Sequence, residues 1–185
     1  MAFLLRRSVF IHIPKTAGQW VASALESAGL LAGRLGVVHA SPDEICREGA
    51  YRARPFRFAM VRHPLSWYQS MWAHRVDEEW GPMDDPAWFT PRWVEVWAEF
   101  TKQCRAATFA EFVRACTSHY PQGFVSTLYD VYAQDCGFVG KQERLPEDLI
   151  EALTRAGEEF EPRPVQQTPP RNVRARRPHR LADCR

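Results

Sequence analysis

The chain has 185 residues, is 45% hydrophobic and 25% charged, and carries a formal net charge of +2 at pH 7. That length supports one hydrophobic core and a single domain over 1–185, and the balance excludes a disordered chain. No apolar run approaches the ~20 residues of a membrane span, and the start "MAFLLRRSVF" has basic and apolar parts in the reverse order of an export signal.

"SVFIHI" (Ser8 to Ile13) is apolar and β-branched, and it predicts a short buried strand stopped by Pro14. Val21, Ala24, Leu25 and Ala28 then recur at helical spacing, with Gly29 as a stop. A second strand is expected over Leu35 to Val38, with His39 at its end. "SPDEICREGAY" predicts a helix with Ser41 as cap, Pro42 in the first turn and Glu44 at the capping-box position. "FRFAMVRHP" gives a third strand, Phe56 to Val61, and "LSWYQSMWAHRV" a helix after it.

The segment 77–107 is crowded with prolines, acids and tryptophans, and it predicts an insertion that turns helical near Pro91. "TFAEFVRACTSHY" is an amphipathic helix, "DCGFVGKQERL" holds a strand around Phe138 and Val139, and "PEDLIEALTRAGEEF" is a helix ended near Gly157. Five prolines and an arginine-rich tail follow Phe160, so 161–185 forms a separate Pro/Arg-rich segment. Strands alternating with helices predict an α/β fold with a parallel sheet. The five cysteines are odd in number and widely spaced, without C-x-x-C; this argues against a disulfide framework or a zinc site, and for reduced thiols in a cytoplasm.

Chemistry concentrates in "FIHIPKTAGQW". A strand–loop–helix offers backbone N–H groups and a helix dipole to an anion. Lys15 adds a mobile charge, Thr16 a hydroxyl, and Gly18 a place for close approach. A Walker A loop needs glycines six and one residues before its lysine; Val9 and Pro14 stand there instead. Such a loop suits one phosphate group better than a triphosphate. Arg62, just past the third strand, can grip a second phosphate bidentately, and Ser70, eight residues on, can add a hydrogen bond. Two separate grips suggest a nucleotide phosphorylated at two places.

"HIPKTAG" together with "VRHPLSWYQS" resembles the sulfotransferases that use 3′-phosphoadenosine 5′-phosphosulfate (PAPS), and the run from "TFAEFVRACTSHYPQGF" to "LTRAGEEF" is similar to bacterial and carbohydrate-type members. The resemblance implies a three-layer αβα, P-loop NTPase-like fold with a central parallel sheet. It implies sulfuryl transfer from PAPS to a hydroxyl or amine of a small-molecule or glycan acceptor, leaving the bisphosphate PAP, with no metal. Lys15 would stabilise the leaving phosphate. The backbone of Thr16, Ala17, Gly18, Gln19 and Trp20 would hold the 5′-phosphate, and Arg62 and Ser70 the 3′-phosphate. His39, between the two motifs, is the expected general base, with Glu44 and Glu143 in reserve. Gln142 is the candidate at adenine, and Arg171 or Arg174 the candidate to close over the 3′-phosphate. His12 is expected to be structural. The family's usual R-D-P is here Arg62-His63-Pro64.

The insertion, placed by the resemblance at 73–107, could be an acceptor-side lid, with Trp80, Trp88, Trp93 and Trp97 as ring-binding faces; equally, Trp93 and Trp97, four apart, could pack on the core. Neither a nucleic-acid nor a membrane partner is expected. Two other readings compete: a small P-loop-like kinase using ATP and Mg²⁺, and a non-catalytic nucleotide-binding relative.

Overall fold

The computed structural model describes residues 1–171. Its centre is a five-stranded sheet in the order β3-β1-β2-β4-β5. The strands are β1 (Ala2–Leu4), β2 (Ser8–Ile11), β3 (Gly33–Leu35), β4 (Phe56–Val61) and β5 (Phe138–Lys141). β2, β4 and β5 are parallel neighbours, whereas β1 runs antiparallel to both β2 and β3. The sheet is therefore mixed, not parallel throughout. The cause is local: three residues, Leu5 to Arg7, join β1 to β2, with Leu5 N donating to Ser8 O at 2.9 Å. A parallel crossover needs about a dozen residues, so so short a link enforces a hairpin.

Alternation along each strand sends its side chains to two cores. Val9, Ile11 and Ala59 face one, built with helices α4 (Pro64–Asp77), α5 (Pro91–Cys104), α6 (Phe109–His119) and α7 (Phe124–Ala133). Phe10, Phe58 and Met60 face the other, with α1 (Gly18–Ser27), α8 (Glu147–Arg155) and α9 (Pro162–Gln166). Two short helices, α2 (Pro42–Ile45) and α3 (Gly49–Arg52), link β3 to β4. Helices thus cover both faces, an arrangement compatible with three αβα layers. Among the described residues no helix is long and apolar enough to cross a membrane.

The expected strand over Leu35 to Val38 lies two residues early and stops at Leu35. Gly36 sits at φ +68°, a left-handed conformation that ends the extended chain and turns it toward Ala40. His39 consequently lies in a turn beyond β3. The capping box of Ser41 and Glu44 forms as expected, though the helix it starts is only one turn. In the insertion, α5 begins at Pro91 and lays Trp93 and Trp97 into the core, 4% and 0% exposed. Trp97 stacks on Trp67 with ring centroids 6.5 Å apart. Trp80 is half-buried against Phe112, leaving Trp88, 41% exposed, as the open indole of that segment.

Candidate functional site

Because β2 and β4 are parallel neighbours, the segments after them leave the sheet at the same edge. Lys15 and Arg62 are brought together there: Arg62 Nη1 lies 3.5 Å from the Lys15 carbonyl oxygen. Trp67, one turn into α4, donates from Nε1 to the Pro14 carbonyl at 2.9 Å and fixes the loop to that helix.

The loop itself is strained. Lys15 and Ala17 both have positive φ, 66° and 69°, although neither is glycine. Each costs about 1–2 kcal/mol. Positive φ on either side of Thr16 is the kind of backbone from which anion nests are built. Ala17 gives α1 no side-chain cap, and the Trp20 N–H turns back to the Ala17 carbonyl at 2.9 Å. Strain of this kind collects at binding sites.

Two features of the loop differ from the sequence-based expectation. The Thr16 hydroxyl is buried and donates to the Ile13 carbonyl at 2.9 Å, so it braces the loop instead of facing a ligand. Gly18 does not make room for a ligand; it makes room for His12. A Cβ on Gly18 would lie 1.8 Å from His12 Cδ2 and 2.1 Å from Nε2. Gln19 is exposed at the start of α1. Trp20 is committed to packing, with Nε1 donating to the Thr168 carbonyl at 3.3 Å.

Arg62 is gripped through its backbone. Its N–H donates to Tyr129 Oη at 3.0 Å, and that hydroxyl donates back to the Arg62 carbonyl at 2.7 Å. The guanidinium Nε is buried with no partner among the described residues. Ser70 lies half-buried on α4. Gln142 opens a 3₁₀ turn just after β5, whose Lys141 pairs with Val61, so it leaves the sheet beside Arg62. Glu143 accepts the His63 N–H at 2.8 Å, which occupies the carboxylate in the turn where the R-D-P pattern would supply its own. Glu44 likewise accepts from Ser41 N at 2.7 Å and Ser41 Oγ at 2.9 Å. Both reserve carboxylates thus accept backbone N–H bonds. Arg171 is placed beside α1, with His12 and Gln19; Arg174 lies outside the described residues.

His39 reaches the same edge from the other side of β2. Its N–H donates to the Trp88 carbonyl at 2.9 Å, and its carbonyl accepts the Tyr132 hydroxyl at 2.5 Å. The ring packs 5.2 Å from His12 and 5.0 Å from Phe89, only 9% of the residue is exposed, and Nδ1 has no partner among the described residues. Burial holds its pKa well below the ordinary histidine value, helped by His12, the amino terminus, Lys15 and His74. Burial, with the amino terminus, pushes His12 down from 6.5 to about 3. Among the described residues, no group of three or more His, Cys, Asp or Glu side chains is placed to hold a metal ion.

This pair predicts an acid sensitivity. In the unfolded chain both imidazoles protonate below pH 6.5, while folded His12 resists to about 3. Stability is therefore full above pH 6.5 and falls as pH drops toward 3. The slope reaches at most about 1.4 kcal/mol per pH unit for each histidine. Denaturant unfolding across this range should show the decline, and His12→Gln should flatten it; equal slopes in the two proteins would refute the assignment.

Sequence reasoning missed Tyr129 and Tyr132, because α7 itself was not foreseen. Compared with known proteins, the chain matches no family model, no curated protein and no solved structure.

Proposed function

We propose that the protein is a sulfotransferase with a P-loop-like fold, moving a sulfuryl group from PAPS to a hydroxyl of a small-molecule or carbohydrate acceptor. One observation carries the reading: a strained, glycine-poor loop bearing Lys15, with a half-buried arginine, its Nε unpartnered among the described residues, 3.5 Å from that loop. A cradle for one phosphate and a separate guanidinium match a cosubstrate phosphorylated at two places.

The roles follow from charge. The nest and the start of α1 hold the 5′-phosphate, and Arg62, assisted by Ser70, holds the 3′-phosphate. As the acceptor oxygen bonds to sulfur, the bond from sulfur to the bridging oxygen breaks, and its electron pair leaves with the phosphate. Lys15 stabilises that growing charge. His39 takes the acceptor's proton. Its burial lowers its basicity, and the anionic cosubstrate beside it acts in the opposite direction.

The test is a titration with PAP and with ATP–Mg²⁺. PAP is expected to bind in preference, and Arg62→Ala should weaken it by roughly 1.5–3 kcal/mol, about 10- to 150-fold. A preference for ATP–Mg²⁺ would favour a kinase and sink the proposal. The inward-facing Thr16 hydroxyl already argues against the metal seat a kinase needs.

A further inference from the structure

A cavity of about 340 Å³ opens between α1 and the β1–β3 side of the sheet. That volume is at the lower end for small-molecule sites. It borders the site just described in two ways. Gln19, at the start of α1, is one wall. His12 and Trp88 are others, and their ring centroids lie 5.2 Å and 5.9 Å from that of His39. A molecule in the cavity would thus lie against the first turn of α1 on one side and, on another, against the His12 and Trp88 rings that screen His39. The nucleotide grips, at Arg62 and Gln142, belong to the opposite, β4–β5 side of Lys15.

The lining also selects. Trp88 presents an open indole face suited to a ring. Ser23 and Gln19 offer polar groups for hydroxyls. Arg34 and Arg171 supply two positive charges against one negative charge, Glu26. Arg34 Nη2 is paired with Glu26 Oε1 at 2.6 Å, so the cavity keeps one positive charge in surplus. Such a surplus favours an anionic ligand.

Resting on the sulfotransferase reading, we propose that this cavity is the acceptor pocket. It takes a single six-membered ring that carries a hydroxyl and a carboxylate. The hydroxyl points past His12 and Trp88 toward His39, and the carboxylate is held by Arg171. In the transfer, the oxygen of the ring's hydroxyl bonds to sulfur and its proton passes to His39, while the bond from sulfur to the bridging oxygen breaks and its electron pair leaves with the 5′-phosphate.

Ligand-observed NMR on the full-length protein tests this with two probes, 4-hydroxybenzoate for a flat ring and glucuronate for a puckered one. At least one should bind. Ala22→Phe, which fills the cavity from α1, should abolish binding, and Arg171→Ala should weaken it about tenfold. PAP affinity should be unchanged in Ala22→Phe, because Ala22 touches neither phosphate grip. Which probe binds identifies the acceptor as phenolic or sugar-like. If neither binds, or if binding survives Ala22→Phe, the pocket is wrong while PAP binding can still stand. If PAP does not bind but a probe does and is lost in Ala22→Phe, the cavity is a carboxylate site and the acceptor assignment fails.

Discussion

Lys15→Ala is expected to slow sulfuryl transfer roughly 10²–10³-fold, the usual loss when a preorganised donor is removed from a developing oxyanion. PAP affinity should fall by less, because the nest and Arg62 remain. The reason is differential binding: Lys15 meets its greatest opposing charge only when the bridging oxygen is released. The position is also costly to hold, since Lys15 sits at φ 66°. A substituted side chain keeps that strain and loses what it aims. Single-turnover transfer with PAPS separates the two effects, and a variant that transfers at the parent rate would remove Lys15 from the chemistry. The same assay addresses His39. A His39→Ala protein that binds PAP normally and keeps the full rate would end its assignment as base.

Gly18→Ala should be nearly as damaging, through packing alone. The added methyl would lie 1.8 Å from the His12 ring, and something must move. His12 cannot give easily, with Phe3, Phe10 and His39 around its ring at 6.2, 6.5 and 5.2 Å. The start of α1 must shift instead, and the backbone proposed to hold the 5′-phosphate shifts with it. Overpacking of this kind costs about 1–3 kcal/mol or more. The diagnostic is a double-mutant cycle. His12→Ala opens the space, so the combination with Gly18→Ala should be more stable than additivity predicts, by roughly 0.5–3 kcal/mol. Denaturant unfolding measures the stability and a PAP titration the cradle. Additive losses would show that His12 is not what Gly18 serves.

Where local chemistry decides structure, it was legible in the sequence. β4 lies over Phe56–Val61 as expected, α5 starts at Pro91, and the capping box at Ser41 forms. What escaped depends on distant partners. "AFL" is only three residues, and it becomes a strand because β2 and β3 pair with it on both sides. α7 has the sequence "FVSTLYDVYA", rich in β-branched and aromatic residues with weak helix propensity, and burial of Phe124, Val125, Leu128 and Tyr132 overrides that preference. The candidate site was legible in the same uneven way. Lys15 and Arg62 announced themselves by residue type and spacing, and the sheet brings them together. Nothing in the sequence ties His12 to Gly18, six residues apart, one just past β2 and the other opening α1, or Tyr132 to His39.

Tyr129 and Tyr132 stand three residues apart on α7, hence on one helical face. One hydroxyl clasps the backbone of Arg62 and the other that of His39. A single helix therefore works as a caliper. It sets the gap between the residue assigned to the nucleotide and the residue assigned to the acceptor, and it does so without touching either molecule. A change far from both, such as one at Gly123 where α7 begins, would open or narrow both jaws together, so losses in nucleotide affinity and in turnover should travel as a pair.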